Sequence, residues 1–75
     1  MQNIRDAIHA AWEEAIGVTI DVDQDLFDQG ADSMMALNVQ LELESNLDVT
    51  VPSCRLMREP TVAGWASIFR EAKVN

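Results

Sequence analysis

Ser33 is the residue of this chain whose type and surroundings could most directly do chemistry. It lies between Asp32 and Met34, where a loop containing Gly30 leads into a regular segment. A serine at a helix start is close to backbone N–H groups that have no intrahelical partner, and such a position favours a bound anion. The same position also suits a serine that only caps the helix. From its position alone, Ser33 is therefore either an attachment point for a phosphate-bearing group or an ordinary N-cap.

A serine hydrolase would need a general base near Ser33 and a strained turn that exposes the nucleophile. His9 is the only histidine, and it lies between Ile8 and Ala10, where we predict the polar face of a helix. The residues around Ser33 read A-D-S-M-M and lack the glycines of the G-x-S-x-G turn. We therefore predict that the protein is not a serine hydrolase, and since so short a chain is not expected to enclose a deep active site, we predict that it is not an enzyme.

An acidic segment before Ser33 resembles the start of a calcium-binding loop. Residues 21–25 read D-V-D-Q-D, but the sixth position is Leu26, where an EF-hand needs glycine. The twelfth position is Asp32 instead of the usual bidentate glutamate. We therefore predict a solvated acidic loop and no metal site.

Length and charge narrow the possible functions. A chain of 75 residues, 48% of them hydrophobic, suits one small domain, which we predict spans residues 1–75. No apolar run approaches the roughly 18 residues of a membrane span and no secretory signal is visible, so we expect a cytoplasmic protein that does not bind membranes. Thirteen acidic residues against five basic ones give a net charge of −8, which would repel nucleic acids and attract basic proteins. Cys54 is the only cysteine, so no internal disulfide can form, and we expect it to be partly buried.

Apolar periodicity predicts helices in the first and last parts of the chain. The repeat of apolar residues at i, i+3 and i+4 indicates a first helix over Asn3–Ile16 and a final one over Val62–Ala72, with Thr61 as the N-cap of the latter. A short helical turn, capped by Ser53, should lie between Pro52 and Pro60. The intervening loop, 18–31, is long, and we expect Leu26 and Phe27 to anchor it in the core.

The segment after Ser33 admits two interpretations. Residues 37–44 alternate apolar and polar, as a half-buried strand would, but the chain offers no convincing partner strand. On a helix capped by Ser33, a core stripe forms, and other apolar residues fall on other faces, where they could bind a partner. We therefore predict a second helix and, for the whole chain, an all-α four-helix bundle of three longer helices and one short helix. The predicted core stripe comprises Ala36, Val39, Leu43 and Leu47.

Several segments together resemble the carrier domains of polyketide and nonribosomal peptide synthesis. They are LFDQGADSM at 26–34, the acidic amphipathic helix that follows, VTVP at 49–52 and EPTVAGWASIF at 59–69. The family pattern is F-F/L-x-x-G-x-D/H-S-L with a later P-T-V, and the resemblance covers nearly the whole chain. Met34 stands where leucine is usual, and Ala31 replaces a glycine common in the peptidyl type. The segment from Trp12 to Gly17 resembles the end of the first helix in many such domains, and it favours a nonribosomal peptide or hybrid system.

The resemblance implies that Ser33 is the attachment point for 4′-phosphopantetheine, transferred from coenzyme A by a phosphopantetheinyl transferase. The arm would hold acyl, aminoacyl or peptidyl groups as thioesters and present them to loading, condensing or tailoring enzymes, with the isolated domain a monomer. An open alternative is an acidic helical interaction module in which Ser33 is an unmodified cap. The resemblance also implies a partner surface on the second helix and the short helix, whose candidate residues are Asp32, Met34, Met35, Leu37, Asn38, Leu41, Arg55, Met57 and Arg58.

Overall fold

The protein folds into four α-helices, as seen in a computed structural model that describes residues 3–74 and the side chains of residues 3–73. No strand occurs in this part of the chain, so the prediction of an all-α bundle with three longer helices and one short helix is confirmed. The loop between the first two helices contains one 3₁₀ turn, Phe27–Gln29. The helices are α1 Ile4–Ile16, α2 Ser33–Leu47, α3 Ser53–Arg58 and α4 Val62–Val74.

The core forms where α1 packs against α2 and α4, while α3 packs mainly against α4. Trp12 of α1 meets Trp65 of α4 edge to face, with ring centroids 5.1 Å apart and an interplanar angle of 71°. Phe69 lies one turn further along α4, 6.2 Å from Trp65 between centroids. All three rings are fully buried. These aromatic contacts join the two ends of the chain around one core.

The long loop before α2 is held by hydrogen bonds to α4 and to the turn before it, and by buried side chains that include Ile20 and Leu26. Leu26 is only 1% exposed, and its N–H donates to the carbonyl of Pro60 over 2.7 Å. The N–H of Ala63 donates to the carbonyl of Val22 over 3.0 Å. The expectation for Leu26 is confirmed, but the expectation for Phe27 is wrong because its side chain is 37% exposed. Successive residues of a helical turn point in different directions, and here Leu26 faces the core while Phe27 faces outward.

Two helix caps differ from the prediction. The N-cap of α2 is Asp32, whose backbone is extended and whose Oδ1 accepts from the N–H of Met35 over 2.8 Å. Ser33 is therefore the first helical residue, and its prediction as the cap was wrong. Ser53 likewise begins α3 after Pro52, which makes no side-chain cap. Thr61 was predicted correctly, since its Oγ1 accepts from the N–H of Gly64 over 2.9 Å.

Gly64 lies in α4 because a larger residue would not fit. A Cβ at this position would lie 2.8 Å from both Cβ and the carbonyl oxygen of Glu59. The turn after α3 therefore passes close to the backbone of α4. This close approach explains a glycine inside a helix, where it is otherwise unfavourable.

Two further observations bear on the sequence-based expectations. Cys54 is exposed, and its expected partial burial was wrong because it lies on the outer side of the short α3. Among the described residues, no helix has the length and apolar character needed to cross a membrane.

Candidate functional site

Ser33 is exposed at the point where the acidic loop enters α2. The carboxylate of Asp32 caps the helix, so the hydroxyl of Ser33 takes no part in that hydrogen bond. The Asp32 carbonyl accepts from the N–H of Ala36 over 2.9 Å, which closes the first turn. Helix geometry leaves the N–H groups of Ser33 and Met34 without an intrahelical acceptor. An accessible hydroxyl therefore lies beside two backbone donors at the positive end of a 15-residue helix.

The loop immediately before Ser33 is braced by Gln29. Its Nε2 donates to the carbonyls of Asp21, over 3.1 Å, and Gln24, over 3.2 Å. Its Oε1 accepts from the N–H of Asp21 over 2.7 Å. Gly30 follows with φ of 114°, a left-handed conformation that reverses the chain, and the buried Ala31 then leads into Asp32. These contacts fix the direction from which the chain enters α2.

The acidic loop uses its carboxylates to shape its own turns. Asp21 Oδ1 accepts from the N–H of Asp23, and Asp25 Oδ1 accepts from the N–H of Phe27, each over 2.8 Å. Such bonds from aspartate to a backbone N–H two residues later are typical of Asx-turns. Within the described residues, no three His, Cys, Asp or Glu side chains are grouped so that they could hold a metal ion. The aspartates of this loop therefore have a structural use that requires no cation.

The exposed apolar stripe of α2 consists of Met34, Leu37 and Leu41, which lie at i, i+3 and i+7. Their side chains are 74%, 46% and 56% exposed. Asn38 is exposed beside them, whereas Met35 is half-buried and packs against the core. Residues three, four and seven apart share one helix face, so the candidates other than Met35 form a continuous surface next to Ser33.

The candidate residues of α3 differ in exposure. Arg55 and Arg58 are both exposed, and Arg55 Nη2 pairs with Glu71 Oε2 of α4 over 3.2 Å. Met57 is half-buried and packs against the core. The accessible cations of α3 are thus presented at the surface by a short helix whose other side is anchored through Leu56, which is fully buried.

Sequence reasoning missed a buried polar contact that joins α2 to the start of α3. Gln40 is 4% exposed, its Nε2 donates to the carbonyl of Val51 over 3.1 Å, and its Oε1 accepts from the Ser53 hydroxyl over 2.8 Å. The sequence does indicate this burial, because Gln40 lies four residues after Ala36 and three before Leu43, within the core-facing part of the helix. A glutamine at such a position must find hydrogen-bond partners inside the fold.

Comparison with known proteins gives one family. The family model for a phosphopantetheine attachment site matches residues 6–69, which contain the whole of α2 and α3 and most of α1 and α4. No curated protein matches the chain in a direct sequence comparison.

Proposed function

The chain belongs to the family of phosphopantetheine-binding carrier domains, and from this premise we propose that Ser33 is the residue that bears the prosthetic group. As a member of this family, the protein carries a covalently attached 4′-phosphopantetheine. It is a carrier and not an enzyme. It works with a phosphopantetheinyl transferase and with biosynthetic enzymes that act on the carried group.

The proposal for Ser33 rests on the different hydrogen bonding of the two residues at the start of α2. Asp32 caps the helix, which leaves the exposed Ser33 hydroxyl available to a transferase. The unpaired N–H groups of the first turn and the helix dipole favour a negative charge here, typically by about 0.3–1 kcal/mol at an exposed site. The residues present therefore fit a phosphodiester at Ser33.

The attachment step uses the Ser33 hydroxyl as the nucleophile. Its Oγ forms a bond to the phosphorus that bears the pantetheine chain of coenzyme A, while the pyrophosphate bond breaks and adenosine 3′,5′-bisphosphate leaves. We assign the acceptance of the hydroxyl proton to a base of the transferase, because the chain's only histidine, His9, is bonded to the carbonyl of Ile20 over 2.9 Å and the neighbouring Asp32 carboxylate caps α2. The chain thus supplies the nucleophile and its orientation, and the transferase supplies the acid–base chemistry.

The carried groups and their pathway form the second part of the proposal. When attached, the arm supplies a terminal thiol that holds acyl, aminoacyl or peptidyl groups as thioesters. We propose a polyketide or nonribosomal peptide pathway, and the segment from Trp12 to Gly17 favours a nonribosomal or hybrid one. We further propose that residues 1–75 act as one domain, as a monomer when isolated, in the cytoplasm where coenzyme A is available.

The partner surface is proposed to combine the exposed apolar stripe of α2 with Asp32, Asn38, Arg55 and Arg58. An exposed apolar stripe next to the attachment residue supports this assignment, since such surfaces mark contact sites. Met35 and Met57 would contribute mainly by supporting their helices, because each is half-buried. The net charge of −8 would speed encounter with basic partners in a salt-dependent way.

The proposal is tested by intact-mass measurement of the apo-protein incubated with coenzyme A and a broad-specificity phosphopantetheinyl transferase. The wild type should gain the mass of one phosphopantetheine group, and Ser33→Ala should gain none. Ser53→Ala is the matched control, because it also removes a serine hydroxyl at the first residue of a helix, and at the end point it should still gain the mass of one phosphopantetheine group. Modification that persists in Ser33→Ala would overturn the assignment.

A further inference from the structure

Gln40 connects the two helices that carry the proposed partner surface. Its side chain bonds both to Val51, just before α3, and to Ser53, the first residue of α3. Glu44, one turn further along α2, extends this contact: its Oε2 accepts from the N–H of Val51 over 2.9 Å and from Gln40 Nε2 over 3.3 Å. Four hydrogen bonds therefore link the two residues of α2 with each other and with the start of α3.

Few other contacts join α3 directly to α2. The helix packs mainly against α4, where Leu56 is fully buried and its carbonyl accepts from Trp65 Nε1 over 3.1 Å. Direct contacts between α2 and α3 are few. Leu56, the half-buried Met57 and the Arg55–Glu71 pair hold α3 to the core and to α4, so its direct link to α2 is the polar contact at its start.

The buried amide favours a single orientation of α3. An apolar side chain at position 40 would be equally stable in any orientation of α3 that keeps it out of water. The amide of Gln40, in contrast, keeps all its partners only while the Val51 carbonyl and the Ser53 hydroxyl stay in place: without them Nε2 retains Glu44 alone and Oε1 has no partner, which is costly in the core. Buried polar contacts of this kind select one geometry among several that bury similar area.

We propose that Gln40 is a positioning residue that holds α3 against α2, so that partner enzymes meet the stripe of α2 and the cations of α3 as one surface. The proposal rests on the partner surface proposed above. Gln40 itself is buried and touches no partner, so its effect on recognition passes through Ser53 and the orientation of α3.

Steady-state kinetics of the transferase tests the consequence for recognition. Gln40→Met keeps the side-chain length and removes the amide, and it should raise the KM for the carrier about threefold or more while kcat stays within about twofold. Asn3→Ala is the control, because it removes the N-cap bond of α1 at a comparable cost in stability and breaks no bond of α3 or of the loop before Ser33, so its KM should equal that of the wild type. A KM for Gln40→Met equal to that of the wild type, or a fall confined to kcat, would overturn the positioning role.

Amide hydrogen exchange tests the structural step without requiring any modification of Ser33. In Gln40→Met the N–H groups of Arg55 and Leu56 should exchange about tenfold faster or more, while that of Trp65 in α4 changes much less. Ser53→Ala, which removes only one of the hydrogen bonds, should give a smaller change in the same direction. In Gln29→Met the acceleration should appear at Asp21 and not at Arg55. Equal acceleration at Leu56 and Trp65 in both Gln40→Met and Ser53→Ala would show a general loss of stability and overturn the proposal, whether or not Ser33 is the modified residue.

Discussion

Two helices of this protein begin with an exposed serine, and the two hydroxyls differ in their hydrogen bonding. Ser33 opens the 15-residue α2 after Asp32, which provides the cap, and its exposed hydroxyl is not needed for that cap. Ser53 opens the six-residue α3 after Pro52, which provides no side-chain cap, and its hydroxyl donates to the buried amide of Gln40. The residue type and the helix position are the same, but only one hydroxyl remains available for chemistry.

The difference shows that neighbouring residues decide what a serine at a helix start can do. At α2 the cap is taken by an aspartate, and a braced loop presents the serine to solvent. At α3 the serine is used to join two helices. The longer helix also has more aligned peptide dipoles behind its first turn, so it stabilises an anion better than a helix of six residues. Both arguments favour Ser33 over Ser53 as the attachment residue.

The largest loss of stability should follow the removal of the side chain that anchors the loop before Ser33. Leu26→Ala should lower the free energy of unfolding by about 2–5 kcal/mol, because it opens a cavity at a fully packed site. Phe27→Ala, one residue later, should cost less than about 1 kcal/mol because Phe27 is partly exposed. Urea unfolding of the two apo variants measures both values. Similar losses for the two would contradict the view that Leu26, and not Phe27, anchors the loop.

The next effect concerns the N-cap of α2. Asp32→Ala should cost about 1 kcal/mol, since it removes the acceptor for the N–H of Met35. Asp32→Asn keeps an oxygen acceptor and should recover most of that loss. Urea unfolding again provides the measurement, with amide exchange at Met35 as a local readout. If Asp32→Ala is as stable as the wild type, then Asp32 is not the effective cap and Ser33 is not relieved of that role.

The smallest expected effect is the difference in stability between apo variants that each lack one of the two serine hydroxyls. Ser53→Ala should cost about 0.5–1.5 kcal/mol, because it removes a hydrogen bond to a buried amide. Ser33→Ala should stay within about 0.5 kcal/mol of the wild type because its side chain is exposed. Combining Ser53→Ala with Gln40→Met should give less than the sum of the single losses, since both remove the same hydrogen bond. Additive losses would show that the two side chains do not act together.

Much of the fold follows from the sequence because the helix signals are periodic and local. Apolar spacing predicts the first and last helices. The lack of a partner strand correctly favours a helix over a strand for residues 37–44. The caps were harder, because Asp and Ser are both favoured at the N-cap and here they are adjacent. Only the extended backbone of Asp32 decides between them.

Other features of the site depend on tertiary contacts that one sequence does not reveal. Leu26 and Phe27 are both large and apolar, and the 3₁₀ turn decides which of them faces the core. Gln40 is polar, and its burial depends on the segment 49–53 folding back against α2. The candidate surface residues of α2 follow from helical spacing, whereas the half-burial of Met35 and Met57 follows from packing.

Peptide mapping of the modified wild-type protein tests the central claim most directly. Trypsin cannot separate the serines of interest, because no lysine or arginine lies between Arg5 and Arg55. A protease that cleaves after acidic residues can, since Glu42 and Glu44 lie between Ser33 and Ser45, and Asp48 lies between Ser45 and Ser53. We predict that the added phosphopantetheine mass is found on the peptide that contains Ser33 and that fragmentation assigns it to that residue. The same mass on a peptide that contains Ser53, or on any peptide without Ser33, would contradict the account.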